Sequence, residues 1–297
     1  MTTSNTRFGL SVALATAFEP SGEIADTQLL AHARTCLDGG CDSVTLFGTT
    51  GEGPSLGWEE RVRLLTQFKA AGITGDQLVC GISATAVKDA VAQIRAAQVV
   101  GCRRILLPPP YYFKQPSDEG VEAWYREVLS QLDQGSVSVI LYNIPALTQV
   151  ALSVGLIGRL RETLGDAVIG VKDSSGDWSY TEALLNAHKD ISILVGEERH
   201  LAAAVRLGGA GAICGMANLD PAAVRRMACD GKEEPYINDL IDLLEKFPLI
   251  PAIKSAIAHQ SGDPVWFNLR APLVGIGQDD GKRLEQALDQ LKIARAG

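Results

Sequence analysis

The chain has 297 residues, 46% hydrophobic and 21% charged, an ordinary globular composition able to bury a sizeable core in one large domain or two small ones. Its 27 Lys and Arg against 35 Asp and Glu leave a formal net charge of −8 at pH 7. That argues against a nucleic-acid partner but leaves small anions open, because local donors can bind them. No apolar run reaches membrane-spanning length, and Met1 to Arg7 is polar, without the apolar centre of a signal peptide. Cys36, Cys41, Cys80, Cys102, Cys214 and Cys229 include no Cys-x-x-Cys pair and lie mostly in apolar segments, as core residues of a reduced, cytoplasmic protein would.

Short apolar runs alternate with longer amphipathic ones. Leu10 to Ala17 reads as a strand. Asp26 to Leu37 reads as a helix, with Asp26 able to cap it and Gly39-Gly40 to end it. The pattern repeats: strand Ser43–Phe47 and helix Glu59–Ala71, strand Leu78–Ile82 and helix Ala86–Val100, strand Arg104–Leu107 and helix Ser117–Leu132 with Ser117 as cap. The fourth strand stops at Pro108-Pro109-Pro110, which cannot continue a ladder. Strand Val137–Tyr142 precedes helix Ser153–Leu164, strand Val168–Lys172 precedes helix Trp178–His188, and strand Ile191–Val195 precedes helix Glu198–Leu207. Strand Ala210–Cys214 is the eighth, followed by helices over Asp220–Cys229, Pro235–Phe247, Pro251–Gln260 and Gly281–Ala294.

Strand–helix alternation argues for a parallel sheet, and eight strands each followed by a helix match the (β/α)₈ TIM barrel. A doubly wound sheet would want a Gly-rich turn after the first strand, where Thr16-Ala17-Phe18-Glu19-Pro20 stands. The expected division is a barrel over residues 1–220 and a C-terminal helical extension of the same domain over 221–297.

In such a barrel, chemistry gathers where strands hand over to the following loops. Three unusual stretches fall there: Gly48-Thr49-Thr50-Gly51-Glu52, Tyr142-Asn143-Ile144-Pro145, and Lys172. A lysine closing an apolar strand is costly as a charge, and desolvation favours the neutral amine, a nucleophile suited to imine formation with a ketone. The alternative is a lysine reaching out to solvent. The Gly48–Glu52 turn offers two hydroxyls and a run of N–H groups that can hold a carboxylate, or it is a plain loop. Tyr142 could shuttle a proton, or be a buried tyrosine with one satisfied hydrogen bond. Tyr111 and Tyr112 are pocket walls or an exposed patch for a second subunit. His32, His188, His200 and His259 lack metal-ligand spacing, Trp124 and Tyr125 fit a packing face, and Glu59-Glu60-Arg61 fits a solvated helix start.

These stretches, with Tyr111-Tyr112, Lys172-Asp173-Ser174-Ser175-Gly176 and Gly209-Ala210-Gly211-Ala212-Ile213, occur in the order and spacing of one family. The sequence resembles the dihydrodipicolinate synthase and N-acetylneuraminate lyase family of pyruvate-handling class I aldolases, from about Phe8 into the C-terminal helices. The resemblance implies a Schiff base on Lys172 with pyruvate or a 2-keto acid, and Tyr142 as proton shuttle. Thr49 and Tyr112 would complete the relay, Tyr112 reaching in from a neighbouring subunit of a homotetramer built as a pair of dimers. Thr50 and the backbone of Thr49 would hold the pyruvate carboxylate, and Gly196 and Ile213 would line the site. No metal or organic cofactor is implied, and the partners are small molecules, pyruvate and an aldehyde.

Two positions depart from the family pattern. Dihydrodipicolinate synthases usually carry an arginine where Leu147 stands, gripping the carboxylate of aspartate semialdehyde; leucine has no donor. Sialic-acid lyases usually carry an acidic residue where Arg199 stands, and arginine cannot accept from sugar hydroxyls. Arg199 is expected either to bind the tail of the aldehyde or to pair with Glu197 or Glu198. Trp58 and Arg61 replace the histidines of lysine-sensitive synthases. The reading is an aldolase of a 2-keto-3-deoxy sugar acid or similar hydroxy-keto acid, ahead of dihydrodipicolinate synthase and of a keto-deoxy acid dehydratase. A barrel that binds a keto acid without turnover is the non-enzymatic alternative.

Overall fold

A computed structural model describes residues 7–296; residues 1–6, most of the polar start noted above, lie outside the described residues. The strands are β1 (Gly9–Ala13), β2 (Ser43–Leu46), β3 (Leu78–Gly81), β4 (Arg104–Leu107), β5 (Ser138–Asn143), β6 (Val168–Asp173), β7 (Ser192–Val195) and β8 (Gly211–Cys214). All pair parallel in sequence order, and β8 closes onto β1, making a barrel rather than an open sheet. The helices are α1 (Asp26–Asp38), α2 (Trp58–Ala70), α3 (Val87–Val99), α4 (Asp118–Ser130), the single turn α5 (Pro145–Thr148), α6 (Val154–Leu164), α7 (Trp178–Ala187), α8 (Glu198–Arg206), α9 (Pro221–Asp230), α10 (Pro235–Leu244), α11 (Leu249–Ser261) and α12 (Gln278–Ala296).

Alternation along the strands divides the core in two. Ala13, Val79, Leu106, Ile140, Leu194 and Ile213 fill the barrel interior. Val12, Val44, Ile105, Leu141, Val171 and Ile193 face the helices. Inside the barrel the polar pair Ser11 and Thr45 satisfies itself at 2.8 Å. The cysteines are free, and burial pushes the Cys36 thiol up to about 12, so it stays protonated.

Some local expectations shift. β1 ends at Ala13 rather than Ala17: Leu14 N still donates to Thr45 O of β2, but the next amide, Ala15 N, leaves the ladder for Asn218 Oδ1. Asp26 does not cap α1, where Ala25 holds that position; its carboxylate instead accepts from Arg63 and Gln67 of α2. Ser117 does cap α4, accepting from Gly120 N. Tyr125 is buried with its hydroxyl on Leu107 O, and Trp124 donates to Thr85 O. Arg61, expected at a solvated helix start, is buried: its guanidinium lies 4.6 Å from the Phe47 ring centre and donates to the carbonyls of Gly53, Leu56 and Gly81. Among the described residues no helix is long and apolar enough to cross a membrane.

Candidate active site

The carboxyl ends of β5 and β6 build the centre of the site. Their register runs Val139 opposite Val168, then Ile140 opposite Gly170, so β6 carries one extra residue at Ile169. Val168 and Val171 both face the helices despite their odd spacing, the signature of a bulge. The bulge turns Lys172 into the barrel mouth, directly opposite Tyr142. The next pair, Asn143 and Asp173, faces outward. Asn143 Nδ2 donates to Asp173 Oδ1 at 3.0 Å, and Asp173 also accepts from Ser175 and Thr181. The lysine's sequence neighbour is therefore occupied elsewhere and leaves the amine unpaired.

Lys172 is 5% exposed, and its Nζ lies 4.3 Å from the Tyr142 ring centre. Among the described residues it has no ion-pair partner. The Tyr142 hydroxyl meets Thr49 Oγ1 at 3.3 Å. A buried amine, a phenol and a threonine hydroxyl thus form one connected group.

The turn bearing Thr49 and Thr50 is held from both sides. Phe47 and Glu52, which flank it, have left-handed backbones (φ 62° and 52°), a cost that surrounding contacts must hold in place. Thr16 Oγ1 donates to Gly51 O at 2.7 Å, and a Cβ on Gly51 would lie 2.5 Å from Leu14 O, so only glycine fits there. Glu52 Oε1 accepts from Lys254 Nζ at 2.6 Å, with both side chains wholly buried, and Glu52 Oε2 accepts from Arg270 N. Desolvation lowers the Lys254 pKa, opposed by Glu52. This pair ties the turn to α11, and sequence reading missed it. The available signal was a lone lysine inside the apolar run Leu249-Ile250-Pro251-Ala252-Ile253-Lys254.

The other expected residues divide. Gly196 abuts the lysine: a Cβ there would lie 3.1 Å from Lys172 Cε and 2.1 Å from Ser174 Oγ. Ile213 is buried in the same inner cluster as Tyr142. Thr50 is half-buried on the turn, its hydroxyl beside Gly215. Tyr112 does not join the group within this chain; it is 75% exposed and packs edge-on against Phe113. Arg199 does not offer free donors to a substrate. Its guanidinium is committed to Glu197, Asp242 and Glu245 at 2.7, 2.9 and 2.8 Å, so the ion-pair alternative is the one seen, with Glu197 and not Glu198. Glu198 is instead buried, accepting from Met216 N.

A cleft of about 300 Å³ opens beside this group, with Thr49 and Tyr142 on its wall together with Phe47, Ile82, Leu106, Tyr111 and Ile144. Leu147 lines its rim.

The family model described as the dihydrodipicolinate synthetase family matches residues 7–291. The chain is 31% identical over 292 residues to an uncharacterized DapA-like lyase of Chloroflexus aurantiacus, covering 95% of this chain and 96% of that one. It is 32% identical over 304 aligned residues to the 4-hydroxy-tetrahydrodipicolinate synthase of Chloroherpeton thalassium, covering 97% and 96%. The crystal structure of dihydrodipicolinate synthase from Agrobacterium tumefaciens superposes with a TM-score of 0.93 at 49% identity, covering 96% of this chain and 99% of that one. With a family match spanning nearly its whole length on a barrel of the same architecture, the chain belongs to the dihydrodipicolinate synthetase family and is a lyase.

Proposed function

We propose that this enzyme makes or cleaves a carbon–carbon bond between pyruvate and an aldehyde through an imine on Lys172. One observation carries the reading: a buried, unpaired amine stands against the Tyr142 ring, whose hydroxyl meets Thr49. Nζ attacks the keto carbon of pyruvate, the carbinolamine oxygen takes a proton delivered through Tyr142, and water leaves to give a protonated imine. That cation draws electrons from the neighbouring methyl carbon, which loses a proton and becomes a nucleophilic enamine. The enamine carbon bonds to the aldehyde carbon, the aldehyde oxygen takes up a proton, and hydrolysis releases a 4-hydroxy-2-keto acid and the free lysine. Cleavage is the reverse. Tyr142, relayed through Thr49, carries the protons. Thr50 and the Thr49 backbone hold the pyruvate carboxylate, with Gly196 and Ile213 walling the lysine. The imine itself is the electron sink, so the steps call for no metal or organic cofactor. Tyr112 completes the relay from a neighbouring subunit of a homotetramer.

Borohydride reduction in the presence of pyruvate tests this. Mass is expected to be added at Lys172 alone; a chain that gains none, or gains it at another lysine, refutes the proposal. Trapping without turnover of any aldehyde would favour a binding protein. Dihydrodipicolinate synthase is the second reading, favoured by the name of the 49% identical structure. Leu147 weighs against it, since a desolvated second carboxylate left unpaired costs several kcal/mol in rough terms.

A further inference from the structure

The cleft borders the catalytic group through Tyr142 and Thr49, with Lys172 itself off its wall, and its lining bears on which aldehyde reaches the imine. Phe47, Ile82, Leu106, Ile144, Leu147 and Leu273 line it, with Pro54, Pro108 and Pro272 between them. No lysine, arginine or histidine is among its lining residues. The single carboxylate there, Glu52, is already paired with Lys254. The nearby guanidiniums are spent on the protein itself. Arg61 donates to three backbone carbonyls, and Arg270 donates to Glu60 and to Gly22 O. The Thr148 hydroxyl, also on the wall, is engaged by the Ile144 and Val150 backbone. Beyond Thr49 and Tyr142, the hydroxyls left to a ligand are those of Ser55, Ser83 and Tyr111.

From this lining we infer that the aldehyde partner carries an uncharged, apolar substituent, aromatic or alkyl, and is neither a carboxylate-bearing semialdehyde nor a polyhydroxylated sugar. A second carboxylate would lose its water here and find no cation on the wall, the nearby Lys114 ammonium being held by the Tyr111 and Thr148 carbonyls. A chain of several hydroxyls would find only the Ser55, Ser83 and Tyr111 hydroxyls on an otherwise mostly apolar wall, whereas an apolar group gains from every apolar wall it covers. The inference rests on the Lys172 imine proposed above and narrows its product to a 4-hydroxy-2-keto acid with an apolar group on the hydroxyl-bearing carbon. The bond formed joins the pyruvate methyl carbon to the aldehyde carbon. The proton lost from the methyl group is balanced by the one gained at the new hydroxyl, with no oxidant or reductant.

The test begins with borohydride trapping of pyruvate on the wild-type enzyme, which stands or falls with the imine alone. Pyruvate is then paired with benzaldehyde, pentanal, glyceraldehyde or succinic semialdehyde, and kcat/KM is measured for each by pyruvate loss and product mass. Benzaldehyde or pentanal is expected to exceed the other two by roughly tenfold or more. Leu147→Arg, which puts a cation at the rim, is expected to shift the ratio toward succinic semialdehyde by about tenfold. Equal or faster use of glyceraldehyde or succinic semialdehyde by the wild type overturns the inference. So does a wild type that traps pyruvate yet turns over neither apolar aldehyde. Failure to trap removes the imine, and this inference with it.

Discussion

Lys172 stands directly opposite Tyr142 on the neighbouring strand, its Nζ 4.3 Å from the ring centre, because β6 bulges by one residue, Ile169, within its pairing with β5. Parallel neighbours share a face, so the register makes the amine and the phenol partners. Lys172→Arg keeps a long basic side chain but cannot form the imine. We expect it to fold, to lose pyruvate trapping and to fall by at least about 10³-fold in kcat. Tyr142→Phe keeps the ring and loses the proton carrier; kcat should fall roughly 10²- to 10⁴-fold while pyruvate still traps, more slowly. Wild-type turnover by either variant in a steady-state assay would remove its residue from the mechanism.

Gly196 sets how the lysine is held from behind. A methyl group there would meet Ser174 Oγ at 2.1 Å and Lys172 Cε at 3.1 Å. Gly196→Ala should therefore lower kcat by about tenfold or more by displacing the amine. Adding Ser174→Ala removes the worse of the two clashes and should recover part of the loss. Rates that simply multiply in the double variant would count against this steric coupling.

The buried Lys254–Glu52 pair links α11 to the turn that carries Thr49. Lys254→Met or Glu52→Gln alone leaves one charge buried without its partner and should cost about 3–5 kcal/mol in urea unfolding. The double change removes both charges and should cost less than the sum of the singles. Strict additivity would mean that the two side chains act independently.

Arg199 belongs to an acidic cluster, and its removal should be felt in stability more than in turnover. It is one-third exposed on its side chain, so solvent screening limits the loss on Arg199→Ala to about 1 kcal/mol, less in high salt. Aldehyde kcat/KM should stay within about threefold of wild type. A tenfold or greater fall at unchanged pyruvate KM would return Arg199 to the substrate.

Glu198 should make stability depend on pH. Burial, the largest cause, raises its carboxyl pKa above the ordinary 4.5, and donation from the Met216 N–H only partly opposes it. Above pH 4.5 the unfolded chain has released this proton while the folded chain retains it. The folded state then binds more protons, so this contribution falls as pH rises through that window and is fully lost above the raised pKa. Glu198→Gln keeps an acceptor for Met216 N and cannot ionise. Its stability relative to wild type should be higher at about pH 8 than at about pH 5 in urea unfolding. Parallel pH slopes for the two proteins would show that Glu198 ionises when folded as it does when unfolded.

The barrel was legible in the sequence because its signals are local. Apolar runs such as Leu78–Gly81 and Ser192–Val195, separated by capped amphipathic helices, state strand, helix and order without reference to distant residues. The same locality made Lys172 visible as a lysine closing an apolar strand. Its direction was not legible. Strict alternation from the outward Val168 would send Lys172 toward the helices, and only the register against β5 reveals the bulge that turns it inward. Arg61 likewise read as an exposed helix start and Lys254 went unread, because the carbonyls and carboxylate that make their burial tolerable come from other parts of the chain, Glu52 lying 202 residues from Lys254. Local pattern determined which elements form and in what order. Which faces meet, and hence which charges are paired and which amine is left free, was decided by the closure of the barrel, since pairing energies depend on neighbours that no window of sequence contains.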